Sequence, residues 1–131
     1  MSKHSLMAKW ACAVLILVGL GAWFAARPQA GDDPLDSLKV CKDTQKLVLD
    51  NQFVRVIDDS IPAGVTEPRH RHRHGVVVYL TDYVTEQTTD DGKKTLQPRK
   101  SGTATWSEPI IHQVRNAGET PSHAIRIELK Y

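Results

Sequence analysis

Beyond residue 46 the chain is a succession of short apolar segments separated by turn signals, and no part of it has the periodicity of a long amphipathic helix. Lys46 to Leu49 ends at Asp50-Asn51, Phe53 to Ile57 is interrupted by Pro62-Ala63-Gly64, and Val76 to Leu80 is a continuous apolar run of the kind buried on both sides. Val84 to Thr88 leads into Asp90-Asp91-Gly92 and Lys93 to Leu96 leads out, a strong hairpin signal. Thr103 to Trp106 and Ile111 to Val114 follow. The chain closes on Ile125, Ile127 and Leu129 alternating with Arg126, Glu128 and Lys130. That alternation predicts a strand with the apolar set in the core and the charged set in water. About eight to ten short strands at this spacing make an all-β sandwich, jelly roll or barrel.

The N-terminus is of another kind. Lys3 and Lys9 precede an uncharged apolar run from Trp10 to Ala26, which Arg27, Pro28 and the pair Asp32-Asp33 bring to an end. A basic start and an apolar middle predict an export helix over residues 1–30, either a cleaved signal peptide or an uncleaved anchor that holds the chain to the membrane through residues 10–26. Either version leaves the rest outside the cytoplasm, in the periplasm or beyond. Residues 31–45 read as a linker or ordered lead-in, and 46–131 as the domain. Subtracting Lys3, Lys9 and Arg27 from 17 basic residues leaves 14 against 15 acidic ones, so the domain is near neutral and no nucleic acid partner is expected. Cys41 is the single cysteine outside the export segment, which rules out an intramolecular disulfide there. It reads as a small buried hydrophobe in the first strand.

Five of the six histidines lie beyond residue 31, three of them in His70-Arg71-His72-Arg73-His74. On a strand these three imidazoles face one way, while Arg69, Arg71 and Arg73 face the other. Adjacent imidazoles make a poor apolar surface and a good partial coordination sphere. Two ligands at i and i+2 need a third from elsewhere, and His112 is the candidate.

Gly64, five residues, and then His70-x-His72 resembles the first half of the cupin metal motif. Gly102, Pro109, His112 and Asn116 are similar to the second half. From about residue 46 onward the order of parts also resembles small single-domain cupins. The resemblance implies a double-stranded β-helix, a jelly-roll barrel with His70, His72 and His112 converging on a divalent metal ion (Fe, Zn, Mn or Ni) in its mouth. In the family pattern a glutamate follows the His-x-His by four or five residues. Val76 and Val77 stand there instead, and His74 is the substitute ligand to consider. Tyr79, Trp106 and Gln113 are expected to line the pocket, Asn116 to brace a turn, and Glu108 to stand behind a ligand or to act as acid or base.

Cupins host many activities, and no catalytic residue is assigned from the sequence. The leading expectation is an exported, metal-dependent enzyme, oxidative at iron, acting on a small organic acid or related metabolite. The alternative is a non-catalytic periplasmic cupin that binds a metal or small ligand, with a membrane-anchored interaction module third. A homodimer paired through edge strands is a further expectation.

Overall fold

The computed structural model describes residues 33–131, so the expected export helix, with Cys12 and His4, lies outside the described residues. Within them a short helix, α1 (Ser37–Val40), precedes nine strands: β1 (Gln45–Asp50), β2 (Val54–Asp59), β3 (Thr66–His72), β4 (Gly75–Tyr79), β5 (Tyr83–Thr89), β6 (Lys94–Arg99), β7 (Ala104–Ser107), β8 (Ile110–Asn116) and β9 (Ala124–Leu129). No helix among the described residues is long and apolar enough to cross a membrane. The strands form two antiparallel sheets, ordered β1-β2-β9-β4-β7 and β3-β8-β5-β6, with a cavity between them.

The turn chemistry read from the sequence sets the connections. Gly92 closes the β5–β6 hairpin at φ +79, a left-handed conformation that a side chain disfavours. Asp91 braces the same turn by accepting from Thr89 Oγ1 (2.6 Å) and Lys93 N (3.1 Å). Asn116, fully buried, donates to the carbonyls of Ile61 and Thr120 (2.8 Å each) and accepts from Gly118 N. It braces turns, as expected.

The lead-in before β1 is ordered against the barrel. Arg71 N donates to Leu35 O (2.7 Å), and Asp36 bridges to Arg71 in parallel, so this segment covers the edge of β3 that would otherwise present unpaired backbone groups. Asp36 also caps α1 by accepting from Leu38 N (3.1 Å). Cys41 is buried, but at the C-cap of α1 and not within a strand.

The closing strand corrects its expected orientation. Ala124 and Arg126 of β9 line the cavity and Glu128 is completely buried, whereas Ile125, Ile127 and Leu129 are half-buried on the other face. Alternation distinguishes two faces of a strand but does not say which one looks inward. Here the polar set does, lining the cavity between the sheets. β2 does the same, turning Arg55 and Asp59 inward beside Ile57. The apolar cluster that remains is small: Val77, Tyr79 and Ala124, with Tyr83 packed against them.

β4 lies between β9 and β7, and Gly75 at its start permits the close approach to β9. A Cβ there would fall 1.9 Å from the Ile127 carbonyl oxygen, a backbone atom that cannot swing aside. Gly75→Ala is therefore expected to lower stability by upwards of about 3 kcal/mol, the top of the range for overpacking. Urea unfolding of the variant against the parent measures it, and an unchanged midpoint would contradict the close packing of β4 on β9.

Candidate metal centre

Two neighbouring strands build the centre. β3 and β8 are antiparallel, and His70 is paired directly with His112. His72, two residues along β3, returns to the same face. The Nε2 atom of His70 lies 3.0 Å from that of His72 and 3.2 Å from that of His112. All three side chains are buried.

The second nitrogens of His70 and His72 set the state of the atoms that converge. His70 Nδ1 lies 2.7 Å from Pro68 O, an acceptor only, so it carries the proton and donates there. His72 Nδ1 likewise donates to Glu128 Oε1 at 2.8 Å. These bonds assign the tautomers and leave lone pairs on the Nε2 atoms of both rings, facing each other across 3.0 Å with no hydrogen between. Such an arrangement is repulsive until a cation enters. An ion about 2.0–2.1 Å from each nitrogen would hold ligand atoms roughly 2.9 Å apart at right angles and about 3.3 Å apart in a tetrahedron. The observed separations fall in that interval. The residues fit a divalent metal ion. His112 Nδ1 is buried without a hydrogen-bond partner, so nothing fixes that ring's tautomer from behind.

The electrostatics suit a cation ligand set. Burial lowers the imidazoles of His70 and His72, the latter far below the ordinary histidine value, with the Arg126 guanidinium pushing both the same way. Burial, His70 and Arg126 push His112 down to about 3. Neutral imidazole, the form that binds metal, is thus the resting state at neutral pH.

Carboxylates surround the histidines in places the sequence reading did not identify. Glu128 accepts from His72 and, through Oε2, from Arg55 Nε (3.0 Å) and Nη2 (2.6 Å). Arg55 Nη1 in turn reaches Asp36 (2.5 Å). Glu67, almost fully buried, places Oε2 3.7 Å from His70 Nε2 and is held by Thr44 Oγ1 and by Gln45 Nε2 (3.1 Å). It precedes His70 by three residues, which on a regular strand would turn it to the opposite face. An irregularity in β3 between Glu67 and His70 inserts the extra residue that brings both inward. Val77, where the resemblance leads one to expect a carboxylate, lines the cavity. Cys41 Sγ, 3.3 Å from His70 Nδ1, completes an overlapping trio with Glu67 and His70, but burial and the neighbouring Glu67 and Asp59 carboxyls push its thiol far up, away from the thiolate a metal needs.

The other expected residues divide. Tyr79 and Trp106 line the cavity, as does Glu108, which accepts from Trp106 Nε1 (2.7 Å). Gln113 does not: directly after His112 on β8, it faces the other way and is exposed. His74 lies past the end of β3, where its ring stacks on Trp106 with centroids 5.9 Å apart and meets Tyr131 edge-on, outside the three-histidine group.

Buried neutral histidines make stability depend on pH. Between about 3 and the unfolded value of 6.5 the unfolded chain binds the proton that folded His112 refuses, so stability falls as pH drops through that window. The expected loss from His112 alone at pH 5 is about 2 kcal/mol, at roughly 1.4 kcal/mol per pH unit. His70 and His72 add to it in the same direction. Urea unfolding of chelator-treated parent and His112→Phe proteins at pH 7 and pH 5 checks this. A loss on acidification no smaller in the variant would refute the buried, neutral state of the ring, the raised Asp59 carboxyl acting alike in both.

No family model matches the chain, and neither does any curated protein. Solved structures do. A cupin domain from Bordetella pertussis Tohama I is similar at 27% identity with a TM-score of 0.62, over 66% of this chain and 92% of its own. An RmlC-like cupin family protein with a double-stranded β-helix fold from Methanocaldococcus jannaschii aligns at 11% identity and TM-score 0.53, over 66% of this chain and 78% of its own. A protein with a double-stranded β-helix domain from Klebsiella pneumoniae aligns at 17% and 0.54, over 66% and 75%. A likeness that runs over nearly the whole of the Bordetella domain gives this chain the cupin-type double-stranded β-helix fold.

Proposed function

We propose that this protein is an exported cupin that holds a divalent metal ion on His70, His72 and His112 and uses it in a metal-dependent reaction, oxidative when the ion is iron, on a small organic metabolite. The observation that carries the reading is the convergence of the Nε2 atoms while the Nδ1 protons of His70 and His72 are committed to Pro68 and Glu128. When bound, the ion supplies a Lewis acid and, as iron, a redox centre with positions open to substrate. The chain's own residues orient and enclose. Glu128 keeps His72 in one tautomer, Glu67 sets negative charge beside His70, and Tyr79, its hydroxyl 2.6 Å from Thr105 Oγ1, walls the cavity. Export is supported by the basic and apolar character of residues 1–30, and fractionation with an antibody to the C-terminus tests it; a cytoplasmic pool would count against it.

Elemental analysis of protein purified from cells grown without added metal is the primary test. Close to one equivalent is expected in the parent protein, and little in a variant carrying His70→Ala with His72→Ala. Substoichiometric metal that the double substitution leaves unchanged would overturn the reading. Glu128→Gln is expected to weaken metal affinity by about 10–100-fold, the usual effect of removing the acceptor behind a ligand histidine, as measured by competition with a chromophoric chelator. A specific observation also favours a non-catalytic binder: Val77 in place of a carboxylate ligand on the cavity wall. Oxygen uptake with iron(II) and a panel of small thiols and acids separates the two, since a binder consumes none.

A further inference from the structure

The cavity that opens on the histidines encloses about 280 Å³ and carries a second polar feature, contributed by β9 and β6. Arg126 projects into it from β9. Its Nη1 donates to Ser107 Oγ (3.2 Å), while its Nε–H is shut off from solvent with no hydrogen-bond partner. A buried guanidinium N–H left unpaired is costly, and the edge it belongs to is the one that accepts a carboxylate side-on through two parallel hydrogen bonds. Arg99 of β6 also lines the cavity, its guanidinium 4.9 Å above the Tyr79 ring. Arg126 lines the same cavity as His72 and His112, and its charge depresses all three imidazoles.

Acids line the same cavity and must be reconciled with an anion. Glu67 is engaged by Thr44 and Gln45, and Glu108 by Trp106. Asp59 is pushed well above the usual carboxylate range by burial and by Glu67, which favours its uncharged form, and its Oδ1 is buried without a partner. A neutral carboxyl and an unpaired guanidinium edge in one small cavity suit an anion that also carries a polar group.

We propose that the cavity takes a small carboxylate, its carboxylate group held by the Nε edge of Arg126 with Arg99 as a second cation, and its remainder turned toward His70, His72 and His112. The inference rests on the reading of this cavity as the substrate pocket and names the class of molecule it receives. A cavity of about 280 Å³ suits a small molecule.

Calorimetric titration of the full-chain protein with glycolate, with glycolamide and with inorganic phosphate tests it, both as purified and after chelation, with metal content measured on each sample. Glycolate is expected to bind and its uncharged amide not. Arg126→Gln should weaken glycolate by about tenfold or more, with Arg126→Lys intermediate. Arg99→Gln, at a partly exposed position that leaves the fold intact, should weaken it by about threefold or more. Glycolamide binding as well as glycolate, phosphate binding as tightly or more tightly, or glycolate affinity unchanged in folded Arg126→Gln would each overturn the proposal. Glycolate binding that disappears on chelation and ignores both arginine substitutions would also overturn it, since the ion alone would then hold the acid. Arginine-dependent glycolate binding in protein without metal would sustain it while the metal reading fell.

Discussion

Glu128 is the residue on which the rest of this barrel depends. Completely buried, it accepts from both Arg55 Nε and Nη2 and from His72 Nδ1, while Arg55 spends its remaining Nη1 on Asp36. One connected set of charges thereby ties the lead-in, β2, β9 and β3 together. Charges taken out of water are tolerable only when every partner is in place, and removing one member leaves the others uncompensated. The same bonds fix strand register. A slip of one residue in β9 would set Ile127 or Leu129 against Arg55 and His72, exposing the network to an apolar side chain. Fold and candidate site thus share one constraint: the contact that holds β9 to its neighbours also holds His72 in the tautomer a cation requires.

That shared constraint explains what could be read in the amino-acid sequence and what could not. Strand number, the Asp91-Gly92 hairpin, the turn after Pro62 and the Asn116 brace all follow from local chemistry, and local chemistry is legible. The meeting of His70, His72 and His112 was legible too, because spacing and the order of motifs pair the two segments. The face of β9 was not. Ile125, Ile127 and Leu129 look like a core set, and only knowledge that the interior is a site reverses them. Glu67 was hidden for a different reason: period-two counting turns it away from His70, and an irregularity in a strand has no reliable signature when an adjacent proline is the only hint. Gln113 is the converse case, since its place beside His112 on a strand already required it to face away.

A polar interior changes where stability comes from. Among the described residues the apolar cluster is small, Val77, Tyr79, Ala124 and Tyr83, with Cys41, Ile57 and Ile61 buried outside it, so less of the fold rests on a packed hydrocarbon core. Leu47, Val48 and Leu49 of β1, together with Phe53 and Leu96, are exposed. Strand pairing, the brace at Asn116 and the lead-in over the edge of β3 carry more of the load than in a barrel of similar size filled with hydrocarbon. This is a general exchange: space given to a cavity between sheets is space withheld from close packing.

The charge arrangement inside the cavity follows from that exchange. Arg126 lies close enough to depress all three imidazoles, so it helps keep them neutral and at the same time repels a cation among them. Two carboxylates offset that repulsion. Glu128 draws on the far side of His72, and Glu67 stands 3.7 Å from His70 Nε2. Neither occupies the position after the His-x-His where Val77 sits, yet each brings negative charge up to a ligand ring. A carboxylate among the direct ligands and carboxylates around the ligands lower the energy of a cation by the same Coulomb attraction, but the second arrangement leaves a coordination position free. The valine at position 77 is then consistent with a working metal centre, because the charge it fails to provide enters the barrel from β3 and β9 instead.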